Sequence, residues 1–276
     1  MAPLAPVMET MIFLDMISEF SHQSYEKARG VGIKKVIVSV ISYFFSYFVL
    51  YNLKQYPKNH MSLSLLEEYI EAGNSLAIDN LLNENPSLCK QRTSHDISPL
   101  LLACYYNKPQ IIKVLLRHMD ELTIHEAAAA NELEQVQAMI EDMPDLLDRV
   151  SDHGFTPLGI ATHFGNEDMV RFLLTKGADT NAYSQNGYQV YPLHTAIGSG
   201  FENIAKMLIE AGAEVNVLQS SRTTPLHLAS QIGNIELIIL LLEHGALVEV
   251  KNDMGKTASD LAAEKGYQDI AEILKA

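Results

Sequence analysis

A short phrase returns along this chain at a nearly constant interval, and that recurrence constrains the fold more than any local pattern does. Thr156-Pro157-Leu158 comes back as Tyr191-Pro192-Leu193-His194, as Thr224-Pro225-Leu226-His227 and, in weaker form, as Thr257-Ala258-Ser259. The second positions, 157, 192, 225 and 258, are spaced 35, 33 and 33. Eight residues after each stands a glycine: Gly165, Gly200, Gly233 and Gly266. An apolar pair follows at Leu173-Leu174, Leu208-Ile209 and Leu241-Leu242, and Gly-Ala marks the next corner at 177, 212 and 245. The same ruler runs backwards through Thr123 and Pro99 to Leu65, at spacings of 34, 24 and 34. Asn107 and Asn131 take the glycine place in the second and third of the seven units this makes. One connector, between the second and third units, is short by about ten residues.

The residues of one unit explain its shape. Thr156 can cap a helix through its hydroxyl, and Pro157 sits at the first helical position, where no N–H is needed. Gly165 can take positive φ and close that helix after about two turns. Asn166 is placed to cap the next helix, in which Val170, Leu173 and Leu174 form an i, i+3, i+4 apolar stripe. Gly177 ends that helix, and the residues up to the next Thr-Pro are expected to form an extended hairpin-like loop. A helix–turn–helix–loop unit of this size cannot bury its apolar face alone, so the units must stack.

This grammar closely resembles the ankyrin repeat, over roughly residues 62–276. Residues 98–142 are similar to the degenerate middle repeats of stand-alone bacterial ankyrin proteins. Repeat one lacks the Thr-Pro, Thr123 stands where Pro belongs, Tyr191 replaces the capping Thr, and Arg222 replaces a hairpin glycine. The resemblance implies an all-α solenoid of about seven stacked helix-turn-helix units at about 62–92, 93–119, 120–151, 152–185, 186–220, 221–253 and 254–276. Polar residues of the first and last units (Glu67, Glu71 and Asp79; Lys256, Glu264 and Lys265) fit caps. Leu237 to Leu242, apolar on every side, fits a covered internal helix.

Residues 1–60 are a different object from the body. They carry net +2, whereas residues 61–276 carry net −16. Val36 to Leu53 is an uncharged run of 18 residues, expected as one separate hydrophobic helix. Three readings stand open: a single membrane anchor, an artefact of the start site with Met61 as the true initiator, and a helix packed on the solenoid. Lys27, Arg29, Lys34 and Lys35 before the run outnumber Lys54 and Lys58 after it, which weakly places the repeats outside the cytoplasm. Two cysteines and no export signature favour a cytoplasmic body instead. The chain is thus expected to be cytoplasmic, or single-pass and membrane-anchored through 36–53.

Little in the sequence points to catalysis. His125-Glu126 opens like a zinc-protease motif but lacks the second histidine. His125, His194 and His227 are assigned to the fourth place of the repeat phrase, with a structural hydrogen-bonding role. Cys104 is expected as a small packed side chain, and Cys89 has no assigned role. No phosphate-binding glycine loop occurs, and no cofactor or metal is expected. The overall net charge of −14 argues against nucleic acid, whose binding rests on Lys and Arg.

What remains is recognition. The resemblance implies a concave face lined by loop tips and the exposed side of each first helix. By slot that face carries Tyr105 and Tyr106 in repeat two, and His153, Phe155, His163 and Phe164 in repeat four. Repeat five gives Tyr188 and Gln189, in a loop two residues longer than its neighbours, and repeat six gives Arg222, Thr223, Gln231 and Ile232. Aromatic residues and Arg anchor many interfaces. The expected function is non-enzymatic binding of a basic or mixed-charge protein by a monomeric chain. The rival reading is an effector or enzyme-associated adaptor that delivers or inhibits a partner's activity.

Overall fold

The computed structural model describes residues 58–275, with side-chain surroundings from residue 62. The run at 36–53 lies outside the described residues. Ser62–Ala276 forms one compact unit. Fourteen α-helices and no strand occur among the described residues. They fall into seven consecutive pairs: α1 Lys58–Ala72 with α2 Ser75–Glu84, α3 Pro99–Tyr105 with α4 Pro109–Arg117, α5 Ile124–Ala129 with α6 Leu133–Asp142, α7 Pro157–His163 with α8 Glu167–Thr175, α9 Pro192–Gly198 with α10 Glu202–Glu210, α11 Pro225–Ile232 with α12 Ile235–Glu243, and α13 Ala258–Glu264 with α14 Gln268–Ile273.

Local chemistry sets the first helix of each pair. Thr156 Oγ1 accepts from the Gly159 N–H at 3.2 Å, and Thr224 and Thr257 cap α11 and α13 in the same way. Pro157, Pro192 and Pro225 open their helices at the first turn. The turn between paired helices passes through one left-handed residue. Gly165 (φ 71°), Gly200 (φ 73°) and Gly233 (φ 72°) fill that place, and Asn107 (φ 50°) and Asn131 (φ 60°) substitute for glycine there.

Asn166 departs from its expected role. Its side chain makes no cap bond; its amide instead donates to the Ala128 and Ala129 carbonyls of the preceding repeat, at 2.8 and 3.0 Å. A further ladder joins the corners of later repeats. Asp148, Asn181 and Asn216 each accept, through a side-chain oxygen, the backbone N–H of Asp179, Glu214 and Leu247 respectively, all at 2.9 Å.

The first helices pack in sequence, α3 through α13, each on the next. The core beneath them is divided. Leu66 to Leu115 form one buried cluster and Cys104 to Leu274 another, with Ile112, Leu122 and Ala130 half-buried against both. The division falls at the short connector. Caps Ser98 and Thr123 stand 25 positions apart and caps Thr224 and Thr257 stand 33 apart, so the connector has lost eight residues rather than ten.

The apolar helix α12 corrects a second expectation. Leu237, Ile238 and Leu241 are buried, but Ile235 and Ile239 are 38% and 48% exposed. A second helix here is covered by its own partner and its neighbours on one side, so its outer side meets no described residue that buries it. Cys104 is a packed core side chain, as expected, and burial pushes its thiol up to about 12. Cys89 is buried in the first cluster, on the short 3₁₀ turn Pro86–Lys90.

Candidate binding face

Between one pair and the next the chain runs out into a finger closed by a tight turn. Five fingers have the same build: Thr93–Ile97, Ser151–Phe155, Ser184–Val190, Gln219–Thr223 and Asn252–Lys256. In each, the first N–H donates to the last carbonyl, at 2.8 to 3.2 Å. Each five-residue turn has one left-handed residue at its fourth place, and the longer third finger has two, Gly187 (φ 90°) and Gln189. Gly154 (φ 84°) and Gly255 (φ 73°) supply it without strain, whereas Asp96, Gln189 and Arg222 adopt φ of 59°, 50° and 54°. The expected loss of glycine at Arg222 therefore leaves the finger geometry intact.

Histidines secure the fingers from below. His194 Nε2 donates to the Thr223 carbonyl at 2.8 Å, and His227 Nε2 to the Lys256 carbonyl at 3.1 Å. The other nitrogen depends on the cap. His227 Nδ1 accepts from the Thr224 N–H at 3.1 Å and lies 2.7 Å from its hydroxyl. Tyr191 has no hydroxyl in that place, so the buried Nδ1 of His194 has no hydrogen-bond partner. Burial pushes the His194 pKa down to about 4.

His125 does not share the slot assigned to it. Thr123 caps α5, so Glu126 is the third helical residue, and it closes a capping box with the Thr123 N–H at 2.9 Å. His125 stands one place earlier and bonds the Arg149 carbonyl at 2.7 Å. The shift follows from α5 having six residues where α7 has seven.

The short connector has a structural consequence. A finger is missing between Thr93–Ile97 and Ser151–Phe155, and a cleft of about 720 Å³ occupies its place. Its apolar walls are Ile97, Leu101, Phe155, Ile160 and Phe164, and His125 and His163 add polar edges. Five of the twelve sequence candidates, Tyr105, His153, Phe155, His163 and Phe164, line this cleft. Tyr105 and His163 stack with ring centres 6.5 Å apart, and His163 meets Phe164 edge-on at 5.0 Å. These rings withdraw His163 from water and lower its pKa. Phe155 and Phe164 are half-buried and also pack on the core, as Tyr106 does.

The remaining candidates lie elsewhere. Tyr188, 69% exposed, and Gln189 are on the third finger, and Arg222 is on the fourth. Those two fingers touch through the Ser220 N–H and the Tyr188 carbonyl at 3.1 Å. Gln231 is half-buried near the end of α11. Sequence reasoning passed over Leu101, Asp152 and Arg92, and gave His125 a structural role only. The short spacing between the second and third units was the available signal. Among the described residues, no group of three or more His, Cys, Asp or Glu side chains could hold a metal ion.

Stacked helix pairs with fingers on one edge define a helical repeat solenoid, a class in which each unit buries its face only against its neighbours. A family model described as Ankyrin repeats (3 copies) matches residues 124–219 and 193–276, and the chain belongs to the ankyrin repeat family. Ankyrin repeats generally mediate protein–protein interaction.

Relatives share segments of the chain. Ankyrin repeat and SAM domain-containing protein 6 of Rattus norvegicus is 32% identical over 90 residues, which are 33% of this chain and 10% of that protein. A putative ankyrin repeat protein of Rickettsia felis is 28% identical over 124 residues, 44% of this chain and 54% of the relative. The human DNA-binding protein RFXANK is 40% identical over 68 residues, 25% of this chain and 26% of that protein. The chain thus spans about a tenth of the first of these relatives and about half of the second. Among the described residues no helix is long and apolar enough to cross a membrane.

Proposed function

We propose that this chain is a non-enzymatic binding module whose protein partner docks on the fingers and first helices of repeats two to six. The repeat domain is residues 61–276, and residues 1–60 are a separate extension. The observation that carries the reading is the clustering of Tyr105, His153, Phe155, His163 and Phe164 on one cleft, with Tyr188 exposed two fingers along. None of these residues is needed as a cap or a left-handed turn residue, and Phe155 and Phe164, though packed on the core at one side, face the cleft at the other. Large rings set partly into a firm surface give contact area at low entropic cost, as interface anchors do.

The partner is a basic or mixed-charge protein. Residues 61–276 carry net −16, which accelerates encounter with a cationic surface and makes the association rate fall with salt. The same field opposes nucleic acid.

Site-specific photo-crosslinking in producing cells tests the assignment. A benzophenone amino acid at Tyr188 or Tyr105 should trap one partner, while the same group at Leu76, 71% exposed on α2, should not. Equal trapping from Leu76 would move the interface off the finger side.

A further inference from the structure

The backbone of the cleft carries an unmet donor. In each finger the second residue presents its N–H towards the preceding finger. Gln185 donates to the Gly154 carbonyl at 2.8 Å, Ser220 to Tyr188 at 3.1 Å and Asp253 to Ser221 at 3.2 Å. At the first finger, which follows no other, Glu67 takes the role and accepts the Ser94 N–H at 2.6 Å. The corresponding N–H of Asp152 has no partner among the described residues. Its partner would have been the finger that the short connector does not build.

We propose that the cleft beside Asp152 seats one extended segment of a partner protein, apolar at its centre and basic at its flanks, as a substitute for the missing finger. Three features of the site select that occupant. The Asp152 N–H calls for a backbone carbonyl at finger height, which an extended peptide offers, much as strands add to an open edge. The cleft of about 720 Å³ between Leu101, Phe155, Ile160 and Phe164 takes apolar side chains. The edge at the second finger is net acidic: Asp96 and Asp152 share one cation, Arg92, which pairs with both. Lys or Arg flanking the apolar residues complements that edge. The proposal rests on the reading of the chain as a protein-binding module, and it assigns the class of segment that this part of the face accepts.

The probe is a phage-displayed library of random 12-residue peptides, selected on the full chain. Binding of the enriched peptide is then followed by fluorescence anisotropy. The expected consensus has one or two large apolar residues between Lys or Arg. In one variant, a copy of residues 244–256 replaces residues 118–122, which adds eight residues and restores the interval of 33. This built-in finger should weaken the peptide at least tenfold.

A second pair of variants keeps the test alive if that chain does not fold. Residue 152 is the second residue of a turn closed by the Gly154 N–H and the Ser151 carbonyl, a place that tolerates proline. Asp152→Pro removes the N–H and the carboxylate, and Asp152→Ala removes only the carboxylate. Asp152→Pro should bind the peptide about three- to tenfold more weakly than Asp152→Ala, as expected for one hydrogen bond. Tyr188→Ala should leave peptide affinity unchanged. No consensus, an acidic consensus, or equal binding by the two residue-152 variants would overturn the proposal. A peptide that ignores the cleft variants and is lost in Tyr188→Ala would overturn it while keeping the protein-binding reading. A peptide that binds the cleft while Tyr188 and Tyr105 trap no protein would do the reverse.

Discussion

Arg92, at the foot of the first finger, pairs with Asp152 on the second, across the place of the missing finger. The same guanidinium donates to the Asp96 carbonyl at 2.8 Å and reaches His153 Nε2 at 3.4 Å. A gap of one finger is thus spanned by one side chain. Both partners are open to water, with side chains 49% and 77% exposed. A double-mutant cycle of Arg92→Ala and Asp152→Ala, followed by urea unfolding, should give a coupling of about 1 kcal/mol or less that shrinks with added salt. A salt-independent coupling well above that would mark a desolvated pair.

The orphaned Nδ1 of His194 gives the fold a dependence on pH. Unfolded, this histidine takes its proton near the ordinary 6.5; folded, only near about 4. Between those values the unfolded state binds more protons, so stability declines as pH falls through that window and is fully present above it. The loss attributable to His194 is about 3 kcal/mol. His125 and His227, whose pKa values burial also lowers, act in the same direction. Urea midpoints of the chain and of His194→Gln, taken from pH 7.5 to 4.5, should diverge, with the variant showing the shallower fall.

The two aromatic candidates on neighbouring fingers should separate in their effects. Tyr188 is 69% exposed and makes no core contact, so Tyr188→Ala should leave the melting temperature unchanged. Phe155 is half-buried against the main cluster, so Phe155→Ala should lower it, at a cost of about 2 kcal/mol, below the range for a fully buried ring. By slot both were assigned to the same face, and only their burial separates them.

Gly154 meets two demands at once. Its φ is 84°, and a Cβ there would lie 2.9 Å from the backbone of Gln185 and Asn186 on the next finger. Gly154→Ala should cost about 2 kcal/mol from backbone strain alone and displace that finger. Amide exchange should quicken at Gln185, whose N–H bonds to the Gly154 carbonyl, while α13 and α14 remain unaffected.

Leu241, fully buried on α12, tests how far damage spreads. Leu241→Ala should cost about 2–5 kcal/mol. Because stability in such stacks is roughly a sum of units and interfaces, exchange should quicken in α9–α14 and stay unchanged in α1 and α2. The split of the core at the short connector reinforces that boundary. Uniform loss along the stack would contradict it.

Local chemistry was legible from the residues alone. Caps, first-turn prolines and left-handed corners act within one unit and repeat, so Thr156, Pro157 and Gly165 announce their roles, and so does Asn107 standing in for glycine. The missing finger was also visible as an interval, and five of the candidate residues fell on its cleft because they occupy finger and first-helix slots that border it. Relations between units were decided only in three dimensions. Asn166 could have capped its own helix but reached the carbonyls of its neighbour. His125 slipped one place because α5 is a residue short: Thr123 to Asn131 spans eight positions where Thr156 to Gly165 spans nine, an interval that has meaning only once Thr123 is seen to be the cap. Asp152 is left with an unmet N–H by residues that are absent, since a finger's donor is satisfied by the preceding finger. Sequence fixes bonds that close within a few residues, whereas a bond across repeats depends on whether the facing backbone has been built.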